Sequence, residues 1–411
     1  MKDRRDQWVS RRRVLKACMG MPAASLYSGS RALGQNAVSA PGLALAEEYK
    51  GSQLYAISPN GDRVCLYSFK HVENFLRPWS YDGGETKKTD DVLRVIDLKT
   101  GKAACATQLR SLLVAASFFA DGIRIYAESL PLREREGARG GLTVQRVIID
   151  SHARSLTERL MGIDTVSTQY VALAWPNLLG IESSLQTARA FALTRLSLPG
   201  YEELTRVPFA PEQEPSHFGN PAVSGNGQYV YGHDTDLVVS ADRRLVAYGA
   251  GHQIVFRRTS DLKVLWSRRI PGDYFGTWIL DLTPDGTRVV AAVIDDTNVE
   301  KQKNFYIAVY SGEDGSVVKE LPLNGFEGVS ISSNGKLVGV SKRVATDDGK
   351  VAPTVDIHEV ASGRLVYRVS HPPVDVHVNG GYGLGSISSR FTPDGKHLLT
   401  SGQHLTRVWN V

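Results

Sequence analysis

The sequence predicts an all-β chain folded as a seven-bladed β-propeller, and three observations point there. A tight Asn/Asp-Gly turn recurs at Asn60-Gly61, Asp121-Gly122, Asp285-Gly286, Asn334-Gly335 and Asp394-Gly395, with degenerate copies at Pro176-Asn177 and Asp242-Arg243. A second turn alternates with it, at Thr100-Gly101, Asp150-Ser151, Pro199-Gly200, Ser260-Asp261, Asp314-Gly315 and Ser362-Gly363. The segments between are apolar and β-branched, such as Val289 to Ile294 and Leu337 to Val340, which suits a pleated, half-buried surface. Two turn signatures alternating at a long period mark four-stranded sheets repeated around an axis.

Within each repeat the strands are termed a to d, with a nearest the axis. The Asn/Asp-Gly turn joins a to b and supplies the positive φ of a tight hairpin. The second turn joins c to d, as in Val95-Ile96-Asp97-Leu98-Lys99-Thr100-Gly101-Lys102. Successive a–b turns lie 61, 56, 65, 43, 49 and 60 residues apart; the shortest interval matches the period of roughly 40–45 residues of WD-type repeats, and the others require insertions. Seven a–b turns stand against six c–d turns. The last repeat ends on a c strand, Leu405 to Val411, so it lacks a d strand. An open strand edge is a liability, and Leu43 to Tyr49, just before the first a strand, is the natural donor. Trp409-Asn410 stands where a WD repeat carries Trp-Asp. On these residues the chain resembles the bacterial WD-repeat and YVTN propellers over 43–411. The segment Ala222 to Asp236 reads either as an inserted hairpin or as a displaced part of the fourth repeat.

The formal charge of +5 belongs to the N-terminus. Residues 1–34 carry eight Lys/Arg and two Asp, and without them 40 basic face 41 acidic side chains, a net of −1. A near-neutral body lacks the footprint of a nucleic-acid binder. Ser10, Arg11, Arg12, Leu15 and Lys16 resemble the twin-arginine export motif, with Val14 where Phe is usual. The apolar stretch Ala17 to Tyr27 is short and interrupted by Gly20 and Pro22, so no stable membrane anchor is expected after cleavage. Cleavage sites of suitable type end at Gly34, Ala40 and Ala46; a cut after Ala46 would destroy the donor strand, which favours Gly34. The expected organisation is a signal peptide over 1–34, a linker over 35–42 and the propeller over 43–411, in a periplasmic or secreted protein. Cys65 and Cys105 fall on the second and fourth strands of one sheet, about 10 Å apart, too far to bridge and better read as buried thiols.

The a–b and c–d turns share one face of the ring and are short. Long b–c connections (Lys70–Asp91, Ser129–Gly141, Asp295–Asn304, Arg343–Ala352) and d–a connections (Phe209–Pro221, Ile270–Thr277, Ser370–Gly385) share the other. Binding on a rigid scaffold favours such loops. Phe75, Arg77, Trp79 and Tyr81 crowd one, Tyr274, Phe275 and Trp278 another, and His371, His377 and Tyr382 a third. Aromatic rings with Arg are typical of interface hot spots, although such rings also pack loop against loop. His217, His233, His371 and His377 lack the close spacing of a metal motif. No haem-attachment, nucleophile-elbow or zinc-protease motif occurs. The sequence therefore leads to a non-catalytic scaffold without cofactor, binding a partner on its long-loop face. Two alternatives follow from resemblance and fold. One is the heavy subunit of a quinoprotein amine dehydrogenase-like oxidoreductase, whose cofactor sits on another chain. The other is a lactonase-like propeller hydrolase.

Overall fold

A computed structural model describes residues 40–68, 92–108, 111–131, 143–152, 155–162, 165–184, 191–198, 200–208, 222–223, 230–231, 237–250, 253–270, 279–295, 304–323, 328–375, 387–402 and 405–411. Strand β1 (Leu45–Lys50) comes first and waits for the end of the chain. Blade 1 holds β2 (Ser52–Ile57), β3 (Arg63–Ser68), β4 (Val92–Asp97) and β5 (Lys102–Gln108). Blade 2 holds β6 (Ser111–Phe118), β7 (Arg124–Pro131), β8 (Thr143–Asp150) and β9 (Ser155–Gly162). Blade 3 holds β10 (Thr165–Ala172), β11 (Asn177–Ser184), β12 (Phe191–Ser197) and β13 (Glu203–Pro208). After a separate hairpin of β14 (Ala222–Val223) and β15 (Val230–Tyr231), blade 4 holds β16 (Leu237–Val239), β17 (Leu245–Ala250), β18 (Gln253–Arg258) and β19 (Val264–Arg269).

Blade 5 holds β20 (Ile279–Leu282), β21 (Arg288–Asp295), β22 (Asn304–Ser311) and β23 (Val317–Leu323). Blade 6 holds β24 (Gly328–Ile331), β25 (Leu337–Ala345), β26 (Val351–Glu359) and β27 (Leu365–Ser370). Blade 7 starts with β28 (Ser388–Phe391), β29 (His397–Gly402) and β30 (Leu405–Asn410), and β1 completes it antiparallel to β30. All described ladders are antiparallel, and the innermost strand of each blade touches the next blade around a closed ring.

Strand alternation builds the core. On β21, Val289, Ala291 and Val293 face blade 4, whereas Val290 and Ala292 face blade 6. Successive side chains of a strand point to opposite faces, so one strand serves two neighbours. The same arithmetic at every blade gives a buried apolar cluster at each of the seven interfaces, including blade 7 on blade 1 through Leu399, Val408, Val64, Leu66 and Ile96. Burial at about 25 cal/mol per Å² makes these seams the main source of stability.

The a–b turns carry a second layer of chemistry. Ser58, Ser240, Thr283, Ser332 and Thr392 are buried, and each hydroxyl oxygen accepts the backbone N–H five residues on, at 2.9–3.0 Å. The hydroxyls of Ser240 and Thr392 donate to Asp242 and Asp394 at 2.6 Å, and Ser332 donates to Asn334 at 2.8 Å. Each turn thereby satisfies its own buried polar groups. Gly61 (φ 77°) and Gly395 (φ 74°) sit in the left-handed region, and a Cβ on Gly395 would also displace the Ser333 hydroxyl of blade 6.

Several expectations meet the structure directly. The donor strand is Leu45–Lys50, shifted slightly from the expected Leu43 to Tyr49. The segment from Ala222 does form a hairpin outside the blades. Arg343–Ala352 is not a loop: β25 and β26 continue pairing through Ala345 and Val351, and only a short turn with Gly349 (φ 78°) joins them. Likewise Ser129 belongs to β7 rather than to a connection. Cys65 and Cys105 stand on β3 and β5, both opposite Val95, as buried unbridged thiols; burial pushes the Cys65 thiol well up.

Closure rests on more than the β1 ladder. Arg407 on β30 donates from Nε to Glu48 on β1 at 2.9 Å and from Nη1 to Ser370 O at 2.9 Å. Arg407→Ala is expected to lower stability by about 1–3 kcal/mol, read as a fall in the thermal midpoint. The hydrogen bond from Arg407 holds the Glu48 carboxyl below its usual range. That part of the stability is present above the unfolded carboxylate pKa and fades as pH falls through the folded one, so the gap between wild type and variant should narrow in acid.

Candidate functional site

The turn-side end of the central axis gathers the charged groups that sequence patterning did not single out. Asp281 is the penultimate residue of β20 and accepts the N–H of Ile331, on the next blade, at 3.0 Å. Arg390, the equivalent residue of β28, approaches the same carboxyl at 3.6 Å. One acid therefore ties blade 5 to blade 6 by a hydrogen bond and to blade 7 by an ion pair. Burial raises the Asp281 carboxyl above its ordinary pKa, against the pull of Arg390 and of the Ile331 and Leu282 amides. The Asp281 side chain is 15% exposed and Arg390 is 54% exposed, so the guanidinium retains open surface along the axis.

Arg243 crosses the other side of the ring. It occupies the a–b turn of blade 4 at φ 63°, the left-handed slot that Gly fills at 61, 122, 286, 335 and 395. A side chain there is strained by roughly 1–2 kcal/mol. Its Nη2 donates to Phe118 O of blade 2 at 2.6 Å, passing the inner end of blade 3. Its Nε has no hydrogen-bond partner, and burial lowers its pKa to about 10, which still leaves it cationic at neutral pH. Arg243 and the Asp281–Arg390 pair thus brace non-adjacent blades at one end of the axis. Their chemistry is electrostatic, and the bracing uses hydrogen bonds and charge.

A buried charged trio lies further along the sheets. Arg146 Nε donates to Glu128 Oε1 at 3.0 Å, and Tyr126 OH donates to the same oxygen at 2.6 Å, across β7 and β8. Burial raises both the Glu128 carboxyl and the Tyr126 phenol. The Arg146 guanidinium stacks 5.0 Å from the ring of Tyr201 on blade 3. This group fills a seam between blades.

Of the residues expected to bind a partner, Phe75, Arg77, Trp79, Tyr81, Tyr274, Phe275, Trp278, His377 and Tyr382 lie outside the described residues, as do Ser10, Arg11, Arg12, Leu15 and Lys16. His217 and His233 do too. His371 is described, and it is only 4% exposed. Its Nε2 lies 2.8 Å from Thr400 Oγ1, which also accepts Trp409 Nε1 at 2.9 Å. The ring belongs to the seam between blades 6 and 7 and presents almost no surface. Among the described residues, no three His, Cys, Asp or Glu side chains cluster as metal ligands.

No protein-family model matches the chain, and no curated protein matches it. Among solved structures, a chain of the "Crystal Structure of Mitotic Checkpoint Complex" superimposes with a TM-score of 0.50 over 92% of this chain and 95% of that one, at 10% identity. In all, 957 solved chains match, so the likeness marks a widely used scaffold: a seven-bladed propeller resembling the WD-repeat type. At such identity the similarity establishes fold alone.

Two outcomes are expected from these sites. Arg243→Gly relieves the left-handed strain, worth roughly 1 kcal/mol or more, but deletes a charged hydrogen bond to a buried carbonyl, worth roughly 1.5–3 kcal/mol. The second should win, and the denaturation midpoint should fall despite the return of the residue type found in the other turns. For His371, burial, with a smaller push from Arg407, lowers the folded pKa to about 4. The unfolded imidazole titrates near 6.5, so the unfolded state binds the extra proton between those values. Stability should be full above about pH 6.5 and decline as pH falls toward 4. His371→Asn should flatten that limb in thermal-midpoint measurements across the same range.

Proposed function

We propose that the protein is an exported, non-catalytic propeller scaffold that binds a protein partner on the face carrying its b–c and d–a connections. The supporting observation is an asymmetry of connection length. Every a–b and c–d connection spans four or five residues, whereas the opposite face combines two-residue links at 109–110, 163–164, 251–252 and 403–404 with the long segments 69–91, 132–142, 209–236, 270–278 and 371–387. Short connections whose hydroxyls and carboxylates are consumed by their own backbone leave little to recognise a partner. Long connections on a rigid ring are where recognition usually resides. The aromatic residues expected to anchor a partner, from Phe75 to Tyr81 and from Tyr274 to Trp278, fall within these segments.

Export rests on the Ser10-Arg11-Arg12 motif and on the concentration of positive charge ahead of a near-neutral body. Among the described residues, no helix is long and apolar enough to cross a membrane.

The test is affinity capture of the protein from the envelope fraction of its host, with cross-links mapped by mass spectrometry. Cross-links should fall in 69–91 and 271–278, and Trp79→Ala with Trp278→Ala should reduce capture about tenfold while leaving the thermal midpoint unchanged. Capture that survives these changes, or cross-links confined to turns such as 58–62, would overturn the reading. Replacing Arg11 and Arg12 by Lys should hold the chain in the cytoplasm, and continued export would remove the export half of the proposal.

A further inference from the structure

Blade 4 differs from its neighbours in charge. Residues 237–269 contain seven Lys/Arg and two Asp, a net of +5, although residues 35–411 together carry −1. Much of that charge reaches the rim. Lys263, Arg268 and Arg269 are exposed on or beside β19, the outermost strand of the blade. Arg268 makes one long contact, 3.4 Å to Gly315 O, and none of the three has a carboxylate partner among the described residues. Arg258, by contrast, is neutralised by Asp261 at 3.1 Å.

The same strand exposes apolar surface. Val264 is 40% and Leu265 43% exposed at its start. The other rim strands are balanced differently. β9, β13 and β23 each carry one acid and one base, β1 carries two Glu and Lys50, β5 carries Lys102 alone, and Arg368 on β27 is paired with the buried Asp356. Charge protects a free strand edge from pairing, and a single base or a mixture of signs suffices on those strands. Three unpaired cations without an acid, beside an aliphatic pair, exceed that need.

We propose that the β19 edge is a docking strand for an extended protein segment in which an acidic pair and an apolar pair are separated by two residues. The order along β19 sets this pattern: Val264 and Leu265, then Trp266 and Ser267, then Arg268 and Arg269, with Lys263 just outside. Such a segment adds as a fifth strand, its main chain pairing with the free edge and its side chains supplying register. A second copy of this chain is a poorer occupant, because antiparallel pairing of β19 with itself sets Arg269 opposite Val264 and Arg268 opposite Leu265 and supplies no acid to either cation. A nucleic acid is disfavoured because the exposed apolar residues are aliphatic and offer no stacking platform. The inference concerns the rim and is independent of the long-loop reading.

The test uses the whole protein and fluorescein-labelled synthetic peptides carrying two Glu, two Thr and two Val in either order, followed by fluorescence anisotropy. Saturable binding is expected for at least one order. It should weaken about tenfold or more with Arg268→Glu plus Arg269→Glu, and also at high salt. Val264→Lys should weaken it without removing positive charge, which separates strand docking from charge attraction alone. Circular dichroism and the thermal midpoint verify that each variant is folded. Absence of saturable binding, equal binding of a peptide with Lys for Glu, or unchanged affinity in both variants would overturn the proposal. Binding confined to phosphatidylglycerol vesicles, or to a single-stranded oligonucleotide, would overturn it too.

Discussion

Everything in this fold depends on β1 reaching β30. A propeller blade buries both of its faces against neighbours, so a ring of seven has no free interface only if each blade is whole. Blade 7 has three strands at the end of the chain and takes its fourth from Leu45–Lys50. The pairing places Glu48 beside Arg407, whose other nitrogen reaches Ser370 O at the end of blade 6. Blade 7 can then bury Leu399 and Val408 against blade 1 and Leu398 and Trp409 against blade 6. Opening that one ladder would expose two apolar seams at once, which joins the local strand pair to the stability of the whole ring.

The seams themselves follow from the strand period. A helix-built core can shift its contacts by a turn, but a strand that slips by one residue sends every side chain to the wrong neighbour. On β21 that would exchange Val289, Ala291 and Val293 with Val290 and Ala292 between blades 4 and 6. The a–b turns guard against such a slip. The hydroxyl of Thr283 or Ser332 must meet the amide five residues on, which fixes where the next strand begins. Backbone contacts between turns, such as Ala241 N to Pro284 O at 3.0 Å, carry the same register from blade 4 to blade 5.

The parts of this plan written in local chemistry were legible in sequence. Asn/Asp-Gly marks a positive φ wherever it occurs, so the turns could be counted, and the missing c–d turn exposed the borrowed strand. Arg343–Ala352 was misread because its alternation of Lys342, Arg343 and Val344 looks like polar connection until pairing with Thr354, Pro353 and Ala352 makes it a ladder. The role of His371 was not readable either. It looked like a loop histidine beside two prolines, and only Thr400 and Trp409 on the following blade draw it inward. Asp281 gave no signal at all, since its partners Ile331 and Arg390 belong to two other repeats. Local turn grammar is encoded within six residues, whereas a site on the axis is assembled from residues that meet only after the ring closes.

Departures from the repeat concentrate in blade 4, and that pattern carries meaning. Its inner strand β16 has three residues, a hairpin outside the blades precedes it, and its a–b turn holds Arg243 at φ 63° where glycine is the rule. Leu262 in its c–d turn is also left-handed, at φ 56°, with Arg257 donating to its carbonyl at 2.6 Å. Sequences that fold well keep local preference and global structure in agreement, and violations collect where something other than stability was selected. A propeller has sevenfold freedom in where to place a binding feature, because each blade can vary without disturbing the others' registers. Blade 4 combines backbone strain, an inserted hairpin, unbalanced charge and an apolar rim in one place. Four departures in a single repeat, against near-regular blades 5 and 6, make blade 4 the sector where local preference and the repeat disagree most.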